Sequence, residues 1–272
     1  MGNSMGSREA TGAELAEGLS LAGRPLQPPN FVNTGWKVGQ KFTAEDDPDR
    51  TSLPWAAPSF ISRKDPTSQK TWAEELPISS KTGFARLVHG ALDEEDCAEL
   101  VQCINQKGFT PALLNIGGGR QRLEPEARDG WRAIVDCEEL GGWLLEALRP
   151  HLPEIHQDRR LVDLNGRCRI LCYTPGQEFG PHYDATYTRP RPDPRAGDCS
   201  LITVQLYLHD VPEGSGGETA FLGRRGEEDV ACQPRVGSVL IFTQNLLHAG
   251  CLLKKGLKYT LRTEAMYRHM TA

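Results

Sequence analysis

Residues 173–184 decide the fold of this chain, and they read Tyr-Thr-Pro-Gly-Gln-Glu-Phe-Gly-Pro-His-Tyr-Asp. The Pro-Gly pair between two β-rich runs predicts a strand, a tight turn and a second strand. His182 and Asp184 lie two positions apart on the second strand, so their side chains point to the same face, roughly 6.6 Å apart along the chain. Two imidazoles and one carboxylate on one side of an iron leave other positions open for reactants. The pair therefore indicates a metal site whose third ligand comes from another strand.

Taken alone, a His-x-Asp pair is weak evidence. With 7 histidines in 272 residues, chance supplies roughly 0.4 such pairs. A second pair, His156 and Asp158, does occur, in a polar stretch followed by two arginines that is typical of a solvated surface. The strand-turn-strand pattern around His182 favours the first pair.

Short β-rich runs separated by Gly, Pro and Asp continue from residue 167 to the C-terminal end. The predicted strands are 167–173, 179–184, 201–208, 218–222, 238–242 and 257–267. Two helices precede them. Helices followed by many short strands predict an α+β fold, in which the helices pack on an antiparallel sandwich or barrel.

The two helices have recognisable ends. Asp93 is a candidate N-cap of the first, and Gly108 is its predicted end. The second is predicted to begin after Asp136, which forms a capping box with Glu139. Their buried faces are predicted to contain Cys97, Leu100, Val101 and Ile104 in the first helix, and Leu140, Trp143, Leu144, Ala147 and Leu148 in the second.

Residues 1–80 differ in character from residues 81–272. The first part is rich in Gly, Pro, Ser and charge, and it lacks a sustained apolar period. Such a composition predicts a disordered or loosely docked extension in front of one folded domain. Trp36, Trp55, Phe60 and Trp72 are the side chains through which the extension could dock.

The overall composition narrows the class of protein. A net charge of −5 gives no reason to expect a nucleic-acid partner, which a basic excess usually announces. No apolar run is long enough for a bilayer, and the eight cysteines show no paired framework. We expect a cytoplasmic protein. A nuclear location and attachment through acylation of Gly2 are weaker alternatives, the latter because Gly6 stands where the motif has Ser or Thr.

Residues 84–268 resemble the prolyl 4-hydroxylase-type family of 2-oxoglutarate- and Fe(II)-dependent dioxygenases. The resemblance rests on an ordered series of segments: 92–108, 173–184, 206–210, 216–219, 234–242, 248–250 and 256–267. It implies a double-stranded β-helix (distorted jelly roll) core with flanking N-terminal helices. It also implies His182, Asp184 and His248 as catalytic metal ligands, Fe(II) as the metal, 2-oxoglutarate and O2 as co-substrates, and ascorbate as a further candidate cofactor.

The same resemblance assigns residues to the co-substrate. Lys258, ten residues after His248, has the family's place for the cation that binds the far carboxylate of 2-oxoglutarate. Arg262 lies four residues further on the same strand face, where many relatives have a small residue. Tyr207 and Tyr173 have the places of two tyrosines beside the co-substrate. Which of Lys258 and Arg262 makes the main contact is left open.

The implied function is hydroxylation of an organic substrate, a protein or a small molecule, with a peptidyl proline or another amino-acid side chain favoured. Two alternatives remain: a nucleic-acid demethylase on the same barrel, and a non-catalytic metal-binding barrel that acts as an interaction module. Loop 185–198 and the glycine-rich loop 117–119 are predicted to form a lid. Its candidate substrate contacts are Tyr187, Arg189, Arg191, Arg195 and Arg120.

Overall fold

The computed structural model describes residues 15–16, 19–43, 55, 57–78, 83–223 and 226–270. Within these ranges the strands are β1 (Ser20–Leu21), β2 (Arg24–Pro25), β3 (Lys41–Phe42), β4 (Trp72–Glu75), β5 (Ala85–His89), β6 (Thr110–Pro111), β7 (Leu114–Asn115), β8 (Gln121–Arg122), β9 (Trp131–Asp136), β10 (Ile155–His156), β11 (Arg159–Leu164), β12 (Arg167–Tyr173), β13 (Phe179–His182), β14 (Cys199–Tyr207), β15 (Thr219–Phe221), β16 (Val230–Cys232), β17 (Val239–Thr243), β18 (His248–Gly250) and β19 (Lys258–His269). The α-helices are α1 (Phe60–Arg63), α2 (Glu94–Lys107) and α3 (Glu138–Leu148), and 3-10 turns span Pro66–Ser68 and Arg149–His151.

Two antiparallel sheets build the barrel. The larger has the strand order β4-β5-β17-β14-β19-β12-β9-β6, and the smaller has the order β13-β18-β15-β16. From β12 onward the chain alternates between them, because β12, β14, β17 and β19 belong to the larger sheet and β13, β15, β16 and β18 to the smaller. This alternation is the double-stranded β-helix, and the predicted fold is confirmed.

The larger sheet has one apolar and one polar face, as the alternation of strand β14 shows. Ile202, Val204 and Leu206 are buried in the core that the sheet shares with helices α2 and α3. Thr203 and Gln205 point to the opposite side, because successive side chains of a strand alternate. That opposite side is the interior of the barrel, and it carries the polar residues of the pocket described below.

The predicted N-cap is confirmed for helix α2 and is wrong for helix α3. The side chain of Asp93 accepts a hydrogen bond from the Asp96 backbone N–H at 2.9 Å, and helix α2 ends at Gly108 with a φ of 87°. The predicted capping box of α3 is wrong by one position. Cys137 is the N-cap, and its Sγ accepts from the Leu140 N–H at 3.4 Å. Asp136 instead pairs with Arg167 at 2.8 Å at the end of β9.

Parts of the N-terminal extension pack on the body. Strand β4 pairs with β5 and forms one edge of the larger sheet. Phe60 is fully buried, and its ring meets that of Trp143 edge-on at 5.2 Å. The boundary at residue 80 stays a prediction, and Gly2 lies outside the described residues.

The glycine-rich loop 117–119 is the turn of a hairpin. It joins β7 and β8, which pair antiparallel, and β8 also pairs with β3 from the N-terminal extension. Gly117, Gly118 and Gly119 all have positive φ values, of 82°, 62° and 70°, a conformation that glycine adopts without steric cost. In the part of the chain that the structure describes, no helix has the length and apolar character needed to cross a membrane.

Truncation of Phe60 tests whether the extension contributes to stability. Phe60→Ala is expected to lower the free energy of unfolding by about 3–5 kcal/mol, because it removes a fully buried ring. Urea unfolding followed by circular dichroism measures this. Val38→Ala, also in the extension but at a side chain that is 69% exposed, is the control and should change stability by less than about 0.5 kcal/mol. Equal effects of the two substitutions would show that the segment around Phe60 does not dock.

Candidate metal centre and its pocket

His182, Asp184 and His248 lie together inside the barrel. Strands β13 and β18 of the smaller sheet pair so that His182 and His248 are direct cross-strand partners. The Asp184 carboxylate oxygens lie 3.7 Å from Nε2 of His182 and 3.8 Å from Nε2 of His248. Each of the three residues offers one ligand atom, and these three atoms all lie within 4.8 Å of one another.

Hydrogen bonds set the proton position on both imidazoles. Nδ1 of His182 lies 2.8 Å from the Gly180 carbonyl oxygen, and Nδ1 of His248 lies 3.0 Å from that of Leu246. A carbonyl oxygen only accepts, so each Nδ1 carries the proton and each Nε2 keeps a free lone pair. The Phe179 ring stacks on His182 at 3.6 Å, and Phe242 meets His248 edge-on at 4.7 Å. The rings are therefore held with Nε2 toward the centre.

Burial keeps both imidazoles neutral. It lowers the pKa of His182 to about 3, and the neighbouring His248 adds to that effect. Burial also lowers the pKa of His248 below its ordinary value. A neutral imidazole is the form that binds a metal ion, so both side chains are ready as ligands near neutral pH.

Asp184 is buried as an ion. Burial by itself would raise its pKa, but the Arg262 guanidinium and the Thr203 hydroxyl hold it below its usual range. Arg262 Nη2 lies 2.8 Å from Asp184 Oδ1, and Thr203 Oγ1 donates to Oδ2 at 2.5 Å. Each carboxylate oxygen therefore has one fixed partner, which orients the group.

This donor set fits non-haem Fe(II). Two neutral imidazole nitrogens and one ionised carboxylate oxygen form the facial arrangement that oxygenases use, with the remaining positions open. The rival pair, His156 and Asp158, is not part of this group of ligands. His156 ends β10, and Asp158 lies in the turn to β11 with a φ of 57°. The structure thus brings together the three residues that the sequence nominated.

A narrow pocket joins the two sheets at this centre. It is lined by Leu171, Tyr173, Phe179, His182, Gln205, Thr219, His248, Gly250, Lys258, Thr260 and Arg262. Lys258 is 4% exposed, and its Nζ lies 5.4 Å from the centre of the Tyr173 ring. No carboxylate of the described residues lies within ion-pair distance of it. The buried Oγ1 of Thr260 also has no hydrogen-bond partner in the described protein, so the pocket offers a cation and a hydroxyl to a ligand.

The two predicted cations have different surroundings. Arg262 is engaged with Asp184, and its Nη2 also lies 3.7 Å from Glu264. Lys258 is the one without a carboxylate partner among the described residues. Lys258 is therefore the cation that remains available to an anionic ligand, and the contact of either residue with 2-oxoglutarate stays a prediction.

The two predicted tyrosines differ as well. Tyr173 lines the pocket. Tyr207 is fully buried, and its hydroxyl donates to Thr219 Oγ1 at 2.9 Å. Thr219 lines the pocket and Tyr207 does not, so a direct contact of Tyr207 with the co-substrate stays a prediction. Thr203, Thr219 and Thr260 received no role from the sequence, although Thr219 ends a segment that carried the resemblance.

Ion pairs hold loop 185–198 to the barrel. Arg189 is 3% exposed, and its guanidinium donates to both oxygens of Asp163, at 2.9 and 3.0 Å, and lies 3.5 Å from Asp198. Arg195 pairs with Glu138 at 3.2 Å and with Asp163 at 3.4 Å. These two arginines, proposed from the sequence as substrate contacts, are used to hold the loop. Tyr187 remains 40% exposed.

Comparisons with known proteins agree with this geometry. Residues 168–263 match the profile of the 2OG-Fe(II) oxygenase superfamily. "Probable prolyl 4-hydroxylase 10" of Arabidopsis thaliana is 31% identical over 116 residues, which cover 34% of this chain and 39% of that protein. "Probable prolyl 4-hydroxylase 6" of the same plant is 26% identical over 239 residues, 74% of this chain and 73% of that protein.

A solved structure is similar too. The viral collagen prolyl hydroxylase of Paramecium Bursaria Chlorella virus-1 has 22% identity and a TM-score of 0.46, over 67% of this chain and 95% of its own. The first of the curated relatives is matched over only about two fifths of its length. Residues 168–263 are therefore similar to the 2OG-Fe(II) oxygenase superfamily, and the resemblance to its prolyl 4-hydroxylase-type members is confirmed.

Arg262 is expected to position Asp184 for the metal. Arg262→Gln should weaken Co(II) binding about 10-fold to 100-fold, because partners that orient a ligand typically contribute that much to affinity. Titration of the cobalt absorption bands measures the affinity without any turnover. Arg167→Gln is the control, since Arg167 pairs with Asp136 at the opposite end of β12 from Tyr173. Unchanged cobalt affinity and spectrum in Arg262→Gln would contradict the assignment.

Proposed function

We propose that this chain is a 2-oxoglutarate- and Fe(II)-dependent dioxygenase that hydroxylates an organic substrate. The observation that carries the proposal is the set of charged and metal-binding groups that meet in one pocket. Two free imidazole nitrogens and an ionised carboxylate converge at this pocket, and Lys258, which has no carboxylate partner among the described residues, lies in its wall. That combination suits a metal and a dicarboxylic co-substrate together.

The proposed role of each residue in the pocket follows from the chemistry of its side chain. His182, Asp184 and His248 hold the metal, and bound Fe(II) with 2-oxoglutarate and O2 supplies the oxidising chemistry. The Lys258 ammonium gives the far carboxylate of 2-oxoglutarate a counter-charge, and the Thr260 hydroxyl gives it a hydrogen-bond donor. The burial of the pocket walls keeps water away, which strengthens each of these electrostatic contacts.

The finer part of the proposal is the substrate. The similarity to prolyl 4-hydroxylases supports a peptidyl proline or another amino-acid side chain. The net charge of −5 disfavours a nucleic-acid substrate, because binding of nucleic acids depends on neutralising phosphates. Ascorbate stays a prediction.

Turnover of the co-substrate tests the proposed activity. Protein supplied with Fe(II), ascorbate and 2-oxoglutarate should release succinate, and His182→Ala should lower the rate at least about 100-fold, because one of three metal ligands is lost. His89→Ala is the control, since that imidazole stacks on Trp72 at the edge of the larger sheet.

A substrate screen completes the same experiment. Peptides, free amino acids and methylated nucleic acids are examined by mass spectrometry for products heavier by one oxygen atom. Iron-loaded protein that forms neither succinate nor any such product would contradict the proposal and favour the non-catalytic metal-binding barrel.

The pH dependence of co-substrate binding tests the role of Lys258. Burial lowers the pKa of this ammonium to about 8. Only the protonated form attracts a carboxylate, so affinity for 2-oxoglutarate is full below pH 8 and falls up to about tenfold per pH unit above it. Calorimetric titration of the Mn(II)-loaded protein under argon measures the affinity. Lys258→Met should bind weakly at every pH, and a wild-type affinity that is constant from pH 7 to 10 would exclude the contact.

A further inference from the structure

Three arginines share the polar face of the larger sheet that faces the pocket. Arg262 of β19 and Arg169 of β12 are direct cross-strand partners. Arg132 of β9 is the partner of Leu171, which lines the pocket and lies two residues from Arg169. Residues directly opposite each other, or two apart on one strand, project from the same face. The register therefore places all three guanidinium-bearing side chains on the pocket side.

A fourth arginine, Arg128, lies against an aromatic ring that lines the pocket. Arg128 is 7% exposed, and its guanidinium lies 4.6 Å from the centre of the Phe179 ring. That ring lines the pocket and stacks on His182. One nitrogen of Arg128, Nη1, donates to the Leu113 carbonyl at 3.1 Å. Its Nε and Nη2 are buried without a hydrogen-bond partner in the described protein.

Two of these arginines have a carboxylate partner: Arg262 pairs with Asp184 at 2.8 Å, and Arg169 pairs with Glu264 at 2.6 Å. Arg128 has no carboxylate of the described residues within 4 Å. Burial, together with Arg132, Arg262 and Arg169, lowers its pKa to about 9, although Tyr173 acts in the opposite direction. A buried guanidinium without a counter-charge is costly, and an anionic ligand would remove that cost.

The co-substrate does not supply this anion in the proposed arrangement, because its far carboxylate lies on Lys258 and its keto acid end on the metal. We propose that the substrate itself carries a carboxylate, which Arg128 and Arg169 bind beside the pocket; this inference rests on the proposed function. A planar guanidinium and a carboxylate match in a two-pronged hydrogen bond, which gives orientation as well as affinity. The carboxylate belongs either to a free amino acid or to an acidic residue of a peptide.

Matched acids and amides test the inference by binding alone. The protein is loaded with Mn(II) and 2-oxoglutarate under argon, so that no turnover occurs, and dissociation constants are measured by calorimetry. Acetate against acetamide tests the site without assuming the rest of the substrate. N-acetyl-proline against its amide, and acetyl-Pro-Glu-amide against acetyl-Pro-Gln-amide, distinguish a main-chain from a side-chain carboxylate. We expect at least one acid to bind ten times more tightly than its amide.

Variants assign the preference to the arginines. Arg128→Gln and Arg169→Gln should each reduce the ratio of acid to amide affinity to below three. Arg160→Gln, which removes an exposed arginine paired with Glu154, should retain the wild-type ratio. Thermal unfolding checks that each variant is folded, and the half-exposed Arg169 provides the second test if Arg128→Gln does not fold.

Each outcome has one meaning. Equal affinity for acids and amides, absence of binding by all acids, or a preference that survives in both folded variants overturns the inference. Failure of 2-oxoglutarate to bind the metal-loaded protein would instead overturn the proposed function, and the acid preference can still be measured on that protein without 2-oxoglutarate.

Discussion

A carboxylate with 2% of its side chain exposed needs charge and hydrogen bonds from the protein, and Asp184 receives them from several strands. Arg262 comes from β19 and Thr203 from β14, both in the larger sheet, while the two histidines that share the metal site with Asp184 come from the smaller sheet. Asp184 therefore depends on correct pairing within both sheets and on their alternation along the chain. Because unpaired buried charge is costly, the same group also penalises any arrangement in which the barrel is closed in the wrong register.

The metal ligands and the barrel could be predicted because their signals are local or ordered. His182 and Asp184 share one strand, and the segments that surround them follow one another in the order of the family. Lys258 was assigned through the family resemblance, which places a cation about ten residues after the distal histidine. The alternation of apolar and polar residues along β14 also indicates the face that carries Thr203, and it needs no knowledge of the partners.

Residues whose roles depend on distant partners could not be assigned. Arg189 pairs with Asp163, and the sequence gives no reason to connect an arginine in a proline-rich loop with a strand more than twenty residues earlier. The cap of helix α3 was misplaced because Asp136, a better N-cap residue than Cys137, is held in strand β9 by its pairing with Arg167. Arg128 lies between predicted elements, and only the position of its guanidinium against Phe179 connects it with the pocket.

The ion pairs of loop 185–198 have a consequence for recognition. Arg189, Arg195 and Arg268 connect with Asp163, Asp198 and Glu138, so the loop is held to β11, β19 and the start of helix α3 before anything binds. A loop that is already ordered loses little conformational entropy when a molecule binds against it. Recognition by such a loop depends on complementarity of shape and charge that exists before binding, and a poorly matched molecule gains little from rearrangement of the loop.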